Sequence, residues 1–420
     1  MFKKMIAALL TLMLLGGLVS CVGEQMPDDD TSTDSETETE EGTEENTESD
    51  TTDDKKDEED DGKPEPIPTT VALNSSTKGI KILGDRMLES DSQINCDWTC
   101  SGIEFVIEST GGSLTIKADS DAPCYFRAYV DGVEWVSASG GTYHEVSGDS
   151  TIKLPAIPKG THTIRVIKVT GHTLARAELK EMTFFGTLSE TAPEKKELYI
   201  EFIGDSISCG WGIMGTKDGK YTGQDGTMAY PYLVAQALDA DYSITALSGQ
   251  GLVFSGANMP NITNGYLLCS PIRDGSTAYE FERKADVVVI NIGTNDFSKG
   301  VNEAEFKAAY KALIGTIREK NGADCKVVCI YNTMNDTFSS AILEACREMG
   351  GMSKGVYSLK FTKAQSGHPT ASENLTYLAD LKPVIENALS YVPPVETPLT
   401  VEASGTGKTA DIVADFKSFA

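Results

Sequence analysis

Between residues 71 and about 188, apolar and polar positions alternate in runs of strand length: "SLTIKA", "YFRAYVDG", "STIKLPAI", "THTIRVIKV" and "EMTFFGTL". A period of two sends one set of side chains to each face of a strand. The runs are rich in Val, Ile, Thr and aromatic residues and are punctuated by "GG", "DG" and "KG", which read as turns. The pattern predicts a β-sandwich, jelly-roll-like, over residues 71–190.

After "SETAPEKKE" the period changes. Five short, nearly continuous apolar runs follow: "LYIEFIG", "YSITALS", "ADVVVINIG", "CKVVCIYN" and "GVYSLKF". Helical patterns lie between and after them: "AYPYLVAQALDA", "NEAEFKAAYKALIGTIREKNG", "TFSSAILEACREMGG" and "SENLTYLADLKPVIENALSYV". Strands apolar on both sides and alternating with helices predict an α/β domain, a parallel sheet covered on both faces, over residues 191–392. The roughly 350 residues that carry pattern suit two domains.

The two ends of the chain carry no such periodicity. Residues 1–20 hold Lys3, Lys4 and the apolar run "MIAALLTLMLLGGLV", the layout of a secretory signal. The run is too short for the roughly 20 residues of a membrane-spanning helix. "LVSC" resembles the bacterial lipoprotein box, which implies that Cys21 becomes a lipidated N-terminus. The expected location is then extracytoplasmic, on a bacterial cell surface or outer membrane, with the membrane reached through that lipid. Residues 21–70 follow as an acidic linker. Within it, residues 24–62 hold 20 acidic and 2 basic residues, hence −18 of the chain's net −27. Such a stretch cannot bury a core and reads as a self-repelling tether. No basic patch or stripe is present, which argues against a nucleic-acid partner. Residues 393–420 form a C-terminal tail.

In open parallel sheets ligands sit beyond the carboxyl ends of the strands, and this rule selects among the polar residues. The first α/β strand runs into Gly204-Asp205-Ser206, the second into Ser248-Gly249, the third into Gly293-Thr294-Asn295-Asp296, and "SGHPT" with His368 precedes the last helix. A hydroxyl, a glycine amide, a carboxamide and an imidazole thus converge on one rim. Those are the parts acyl transfer needs: a serine activated by a base, and preorganised donors for the oxyanion. Ser206 and Gly249 would give backbone N–H groups and Asn295 a side-chain amide. The other three histidines, His144, His162 and His172, fall in the β-rich part, so His368 is the sole imidazole of the α/β domain. No cofactor is called for, and the residue pattern holds no metal site. Cysteine spacing leaves pairing open, including Cys96 with Cys100.

"GDS", "SG", "GTND" and "HPT", in order and at successive element ends, resemble the four blocks of the SGNH, or GDSL, hydrolases. The resemblance covers residues 199–391 and implies a three-layer α/β/α fold, with Ser206 as nucleophile, Ser206, Gly249 and Asn295 as oxyanion donors and His368 as base. The β-rich front, through "YFRAYVDG" and "LPAIPKGTHTIRVIKVT", is similar to the N-terminal module of carbohydrate esterase family two. That likeness implies an acetylxylan esterase-like deacetylase acting on acetylated plant polysaccharide or oligosaccharide. One position departs from the pattern: an aspartate usually stands three residues before the base, whereas this chain has Gln365. The likeness implies a Ser-His dyad in which a main-chain carbonyl holds the ring; the Gln365 side chain is another candidate for that role, and a carboxylate following one of the strands a third. Trp211, Tyr221, Phe254 and Tyr266 are candidate sugar platforms near the motifs. Rival readings are a lysophospholipase or thioesterase of the same superfamily, and an inactive glycan-binding surface protein.

Overall fold

The computed structural model describes residues 67–88, 90–136, 141–214, 223–256, 259–365 and 367–392. The signal, Cys21, the acidic linker up to residue 66, Tyr221 and the C-terminal tail lie outside them. The first part of the described chain is antiparallel β-structure: β1 (Thr69–Ala72), β2 (Ile80–Leu83), β3 (Ile94–Cys96), β4 (Gly102–Ser120), β5 (Cys124–Val130), β6 (Val133–Glu134), β7 (His144–Val146), β8 (Ser150–Lys168) and β9 (Ala177–Leu188). All nine belong to one hydrogen-bonded sheet with a spine β1-β9-β4-β8-β5-β6.

The sequence runs predict several short strands here, and the structure has three long ones instead. "STIKLPAI" and "THTIRVIKV" are one strand, β8, and "GG" at 111–112 lies inside β4. "DG" at 131–132 is a turn, but Gly111, Gly112 and Gly160 lie at bends within long strands: Ser109 of β4 faces Gly160 of β8 on one side and Gly186 of β9 on the other, and the register slips between Gly112 and Leu114. At Gly186, φ is +133° and a Cβ would stand 2.0 Å from the Glu108 carbonyl oxygen, so only glycine lets the strands crease there. Folding brings Ile103, Phe105 and Ile107 from one half of β4 into the same core as Leu114, Ile116 and Ala118 from the other. The sandwich is one sheet folded on itself.

The second part is a five-stranded parallel sheet, β10 (Tyr199–Gly204), β11 (Asp241–Ala246), β12 (Val287–Asn291), β13 (Lys326–Tyr331) and β14 (Val356–Lys360), in the order β11-β10-β12-β13-β14. Its helices are α1 (Tyr230–Ala237), α2 (Ile262–Gly265), α3 (Thr294–Ser298), α4 (Glu303–Asn321), α5 (Ser339–Glu348) and α6 (Ala371–Ser390). Alternate strand residues serve opposite layers. Val287, Val289, Val328 and Ile330 pack with Val234 of α1 and Leu381 and Ile385 of α6, while Val288, Ile290, Val327 and Cys329 pack with Tyr310 and Leu313 of α4 and Ile342 of α5. Burial on both faces is why these strands read as unbroken apolar runs.

Side chains from the β-rich part enter the α/β part. Arg86, 3% exposed, pairs with Glu201 of β10 at 3.2 Å, donates to the Tyr266 carbonyl at 2.6 Å and lies 4.0 Å over the Tyr279 ring. Tyr266 donates its hydroxyl to Glu201 at 2.6 Å, Trp98 donates Nε1 to the Cys269 carbonyl at 2.7 Å, and Tyr242 donates to the Cys100 carbonyl at 2.8 Å. The eight described cysteines are all buried free thiols, so Cys96 and Cys100 do not pair.

Candidate active site

The turn after β10 places Ser206 at the carboxyl rim of the sheet, 8% exposed. Ser206 Oγ lies 2.7 Å from Nε2 of His368, which arrives from the loop between β14 and α6. The two residues are 162 positions apart in sequence and meet because both loops leave the same edge. Burial pushes the His368 imidazole below its ordinary value near 6.5, which favours the neutral ring, the form that can accept the serine proton. Trp211, half-buried, stands with its ring centroid 6.2 Å from that of His368.

On the next loop, Gly249 is exposed and has φ +80°. A Cβ there would touch nothing within 4 Å, so the constraint is the left-handed backbone rather than crowding. Among the described residues, neither the Ser206 nor the Gly249 amide is donated to another protein group. Asn295, in the first turn of α3, donates Nδ2 to the Gln250 carbonyl at 2.9 Å and to Asp205 Oδ2 at 3.2 Å. Both acceptors of the Asn295 amide are thus protein oxygens, and the bond to Asp205 is the longer.

Two buried carboxylates that the sequence reading left without a role hold this rim together. Asp205 accepts the Ile207 amide at 3.0 Å, pointing back into the turn and away from His368. Its burial, with Asp296 nearby and against the pull of the Ile207 amide, pushes its carboxyl up to about 7. Asp296 accepts three successive amides, Leu252 at 2.8 Å, Val253 at 2.8 Å and Phe254 at 2.9 Å. One carboxylate thereby ties the loop carrying Gly249 to the helix carrying Asn295. Its position inside "GTND" was the available sequence signal; what it touches was not legible.

The structure separates Gln365 from His368. Gln365 is exposed and turns Nε2 toward the Lys363 carbonyl at 3.3 Å, while its backbone amide goes to Glu373 at 2.8 Å. A direct orienting contact from its side chain is therefore absent, because the loop is drawn toward α6 instead. Among the described residues, Ser206 is the one hydrogen-bond partner of the His368 ring and no carboxylate pairs with it. Of the candidate platforms, Trp211 and Phe254 line the rim half-buried, whereas Tyr266 is fully buried in the core. His162 pairs with Asp131 at 2.7 Å in the β-rich part, and Cys209, fully buried, points at the Ala246 carbonyl; both are structural.

Residues 202–351 match the GDSL-like lipase/acylhydrolase family. The chain is 30% identical over 322 residues to the cellulase/esterase CelE of Acetivibrio thermocellus, covering 70% of this chain and 38% of that protein. It is also 30% identical over 250 residues to an acetylxylan esterase / glucomannan deacetylase of Cellvibrio japonicus, covering 57% of this chain and 67% of the relative. A solved family two carbohydrate esterase from Clostridium thermocellum, in complex with cellohexaose, superposes with a TM-score of 0.67 at 29% identity over 75% of this chain and 100% of that one.

Proposed function

The chain belongs to the GDSL-like lipase/acylhydrolase family, among the carbohydrate esterases of family two, and on that premise we propose that it removes O-acetyl groups from plant cell-wall polysaccharide or its oligosaccharides. The observation that carries the reading is the 2.7 Å contact between Ser206 Oγ and His368 Nε2 on the rim that also presents Gly249 and Asn295. His368 takes the Ser206 proton as Oγ bonds to the acetyl carbonyl carbon. The negative charge on the former carbonyl oxygen faces the Ser206 and Gly249 amides and the Asn295 carboxamide. Collapse breaks the bond to the sugar oxygen, which leaves with the proton held by His368, and acetyl-Ser206 remains. Water, deprotonated by His368, attacks that ester; acetate leaves and Ser206 regains its proton.

The absence of a carboxylate partner on His368 among the described residues favours a dyad over a triad. Trp211 beside the base supports a sugar-facing platform rather than a long acyl channel. The relatives named for acetylxylan and glucomannan support the substrate class. Acetate release from acetylated xylan and from acetylated glucomannan tests the reading: the wild-type protein releases acetate, and Ser206→Ala and His368→Ala do not. Preference for long-chain acyl esters over acetyl esters would contradict it.

The same reading places the enzyme outside the cytoplasm as a lipoprotein anchored through Cys21, supported by the charged start, the short apolar run and the small residue before the cysteine. Mass analysis of membrane-extracted protein checks this: a lipidated Cys21 at the N-terminus is expected, and a chain retaining Met1 contradicts it.

A further inference from the structure

We infer that Glu373 and Asn374, consecutive residues in the first turn of α6, position His368, doing through its loop what a triad carboxylate does on the ring itself. The inference rests on the reading of His368 as the base. Glu373 accepts the Gln365 amide on Oε1 at 2.8 Å and the Thr370 amide on Oε2 at 2.8 Å. A single carboxylate thus closes the stretch from Gln365 to Thr370, with His368 inside it. From the inner side, Asn374, 1% exposed, donates Nδ2 to the Thr370 carbonyl at 2.9 Å and to the Pro369 carbonyl at 3.4 Å. Pro369 is the residue next to the base.

Asn374 also reaches the nucleophile's side. Its Oδ1 accepts the Tyr230 amide at 2.8 Å, and the Tyr230 hydroxyl pairs with Ser208 Oγ at 2.9 Å, two residues beyond Ser206. Buried groups therefore connect the loop of the base to the turn of the nucleophile without passing through either catalytic side chain.

Helix capping alone does not account for these contacts. Thr370 and Glu373 form a capping box, which satisfies the first amides of α6. The Tyr230 amide is the first of α1, and its bond to Asn374 serves that terminus. The Gln365 amide, five residues before the cap, and the Pro369 carbonyl belong to no helix terminus, and the bonds to them act on the loop. A reacting group displaced by about 1 Å costs on the order of 10²-fold in rate, so the grip matters to turnover.

The test compares Glu373→Gln, Glu373→Ala and Asn374→Ala with wild type in the full chain, on acetylated xylo-oligosaccharides and on 4-nitrophenyl acetate, normalised to folded protein by circular dichroism. A sugar hydroxyl leaves only with a proton from His368, whereas 4-nitrophenolate leaves unaided. Misplacing the base therefore lowers kcat/KM more on the sugar acetate than on the nitrophenyl ester, with KM nearly unchanged. The expected loss on the sugar acetate is on the order of 10- to 100-fold, smaller for Glu373→Gln, which keeps one acceptor. Wild-type kcat in the Glu373 and Asn374 variants, or an equal loss on both esters, overturns the inference. If the wild type cleaves 4-nitrophenyl acetate through Ser206 but leaves sugar acetates intact, the deacetylase reading falls. The positioning is then decided on the nitrophenyl ester, where a kcat loss at constant KM supports it and wild-type kcat overturns it.

Discussion

His368, the base we propose, shows how little of such a residue's character is fixed by its identity. Its burial lowers its proton affinity, and no carboxylate among the described residues restores it, so the neutral form persists to a pH below the ordinary imidazole value of 6.5. The acid limb of the kcat/KM profile, which reports the free enzyme's essential base, is expected below that value. A limb at or above pH 7 would mean that a carboxylate holds the ring and that the dyad is wrong. Asp296 makes the complementary case on the oxyanion side. It touches neither the nucleophile nor the base, yet it accepts the three amides that follow the Gly249 turn. Asp296→Ala should lower kcat about 10²-fold, the scale of losing one oxyanion donor, with KM little changed. A steady-state comparison on acetyl esters checks it; unchanged kcat would show that the loop keeps its place without the carboxylate.

At the scale of elements, the parallel strands were legible because both of their faces are buried. The four longer helices, α1, α4, α5 and α6, were legible because each buries one stripe, and some carry end signals, such as the Asn302 cap that accepts the Glu305 amide at 2.9 Å; the short α2 and α3 were not. The antiparallel sheet was less so. Gly111, Gly112 and Gly160 look like turns in sequence, and only pairing with neighbouring strands reveals them as bends within long strands. Gly186→Ala forces a side chain into a left-handed backbone and against the Glu108 carbonyl. Backbone strain of that kind costs about 1–3 kcal/mol, to which the clash adds. Urea unfolding should show at least that loss, and a stability equal to wild type would mean the crease can relax. The site divides along the same line. The meeting of Ser206, Gly249, Asn295 and His368 on one rim was readable because each follows a strand of the parallel sheet. The orienting contacts of Gln365, Glu373 and Asn374 were not, because they depend on where a loop settles against α6 rather than on any spacing.

Across the molecule, the β-rich part is built into the α/β part rather than attached to it. Arg86 neutralises Glu201 inside the second sheet, and removing one partner of such a buried pair typically costs about 3–5 kcal/mol. Arg86→Ala should therefore lower stability by that order in a single unfolding transition reported alike by circular dichroism and tryptophan fluorescence; two separated transitions would show independent domains. The claim on which everything else depends is that Ser206 and His368 transfer an acetyl group through a covalent intermediate. Acid-quenched mass spectrometry of the protein turning over an acetylated xylo-oligosaccharide tests it most directly. The account predicts an acetylated peptide containing Ser206, absent from Ser206→Ala and His368→Ala, whereas acetate release by Ser206→Ala at the wild-type rate would contradict it.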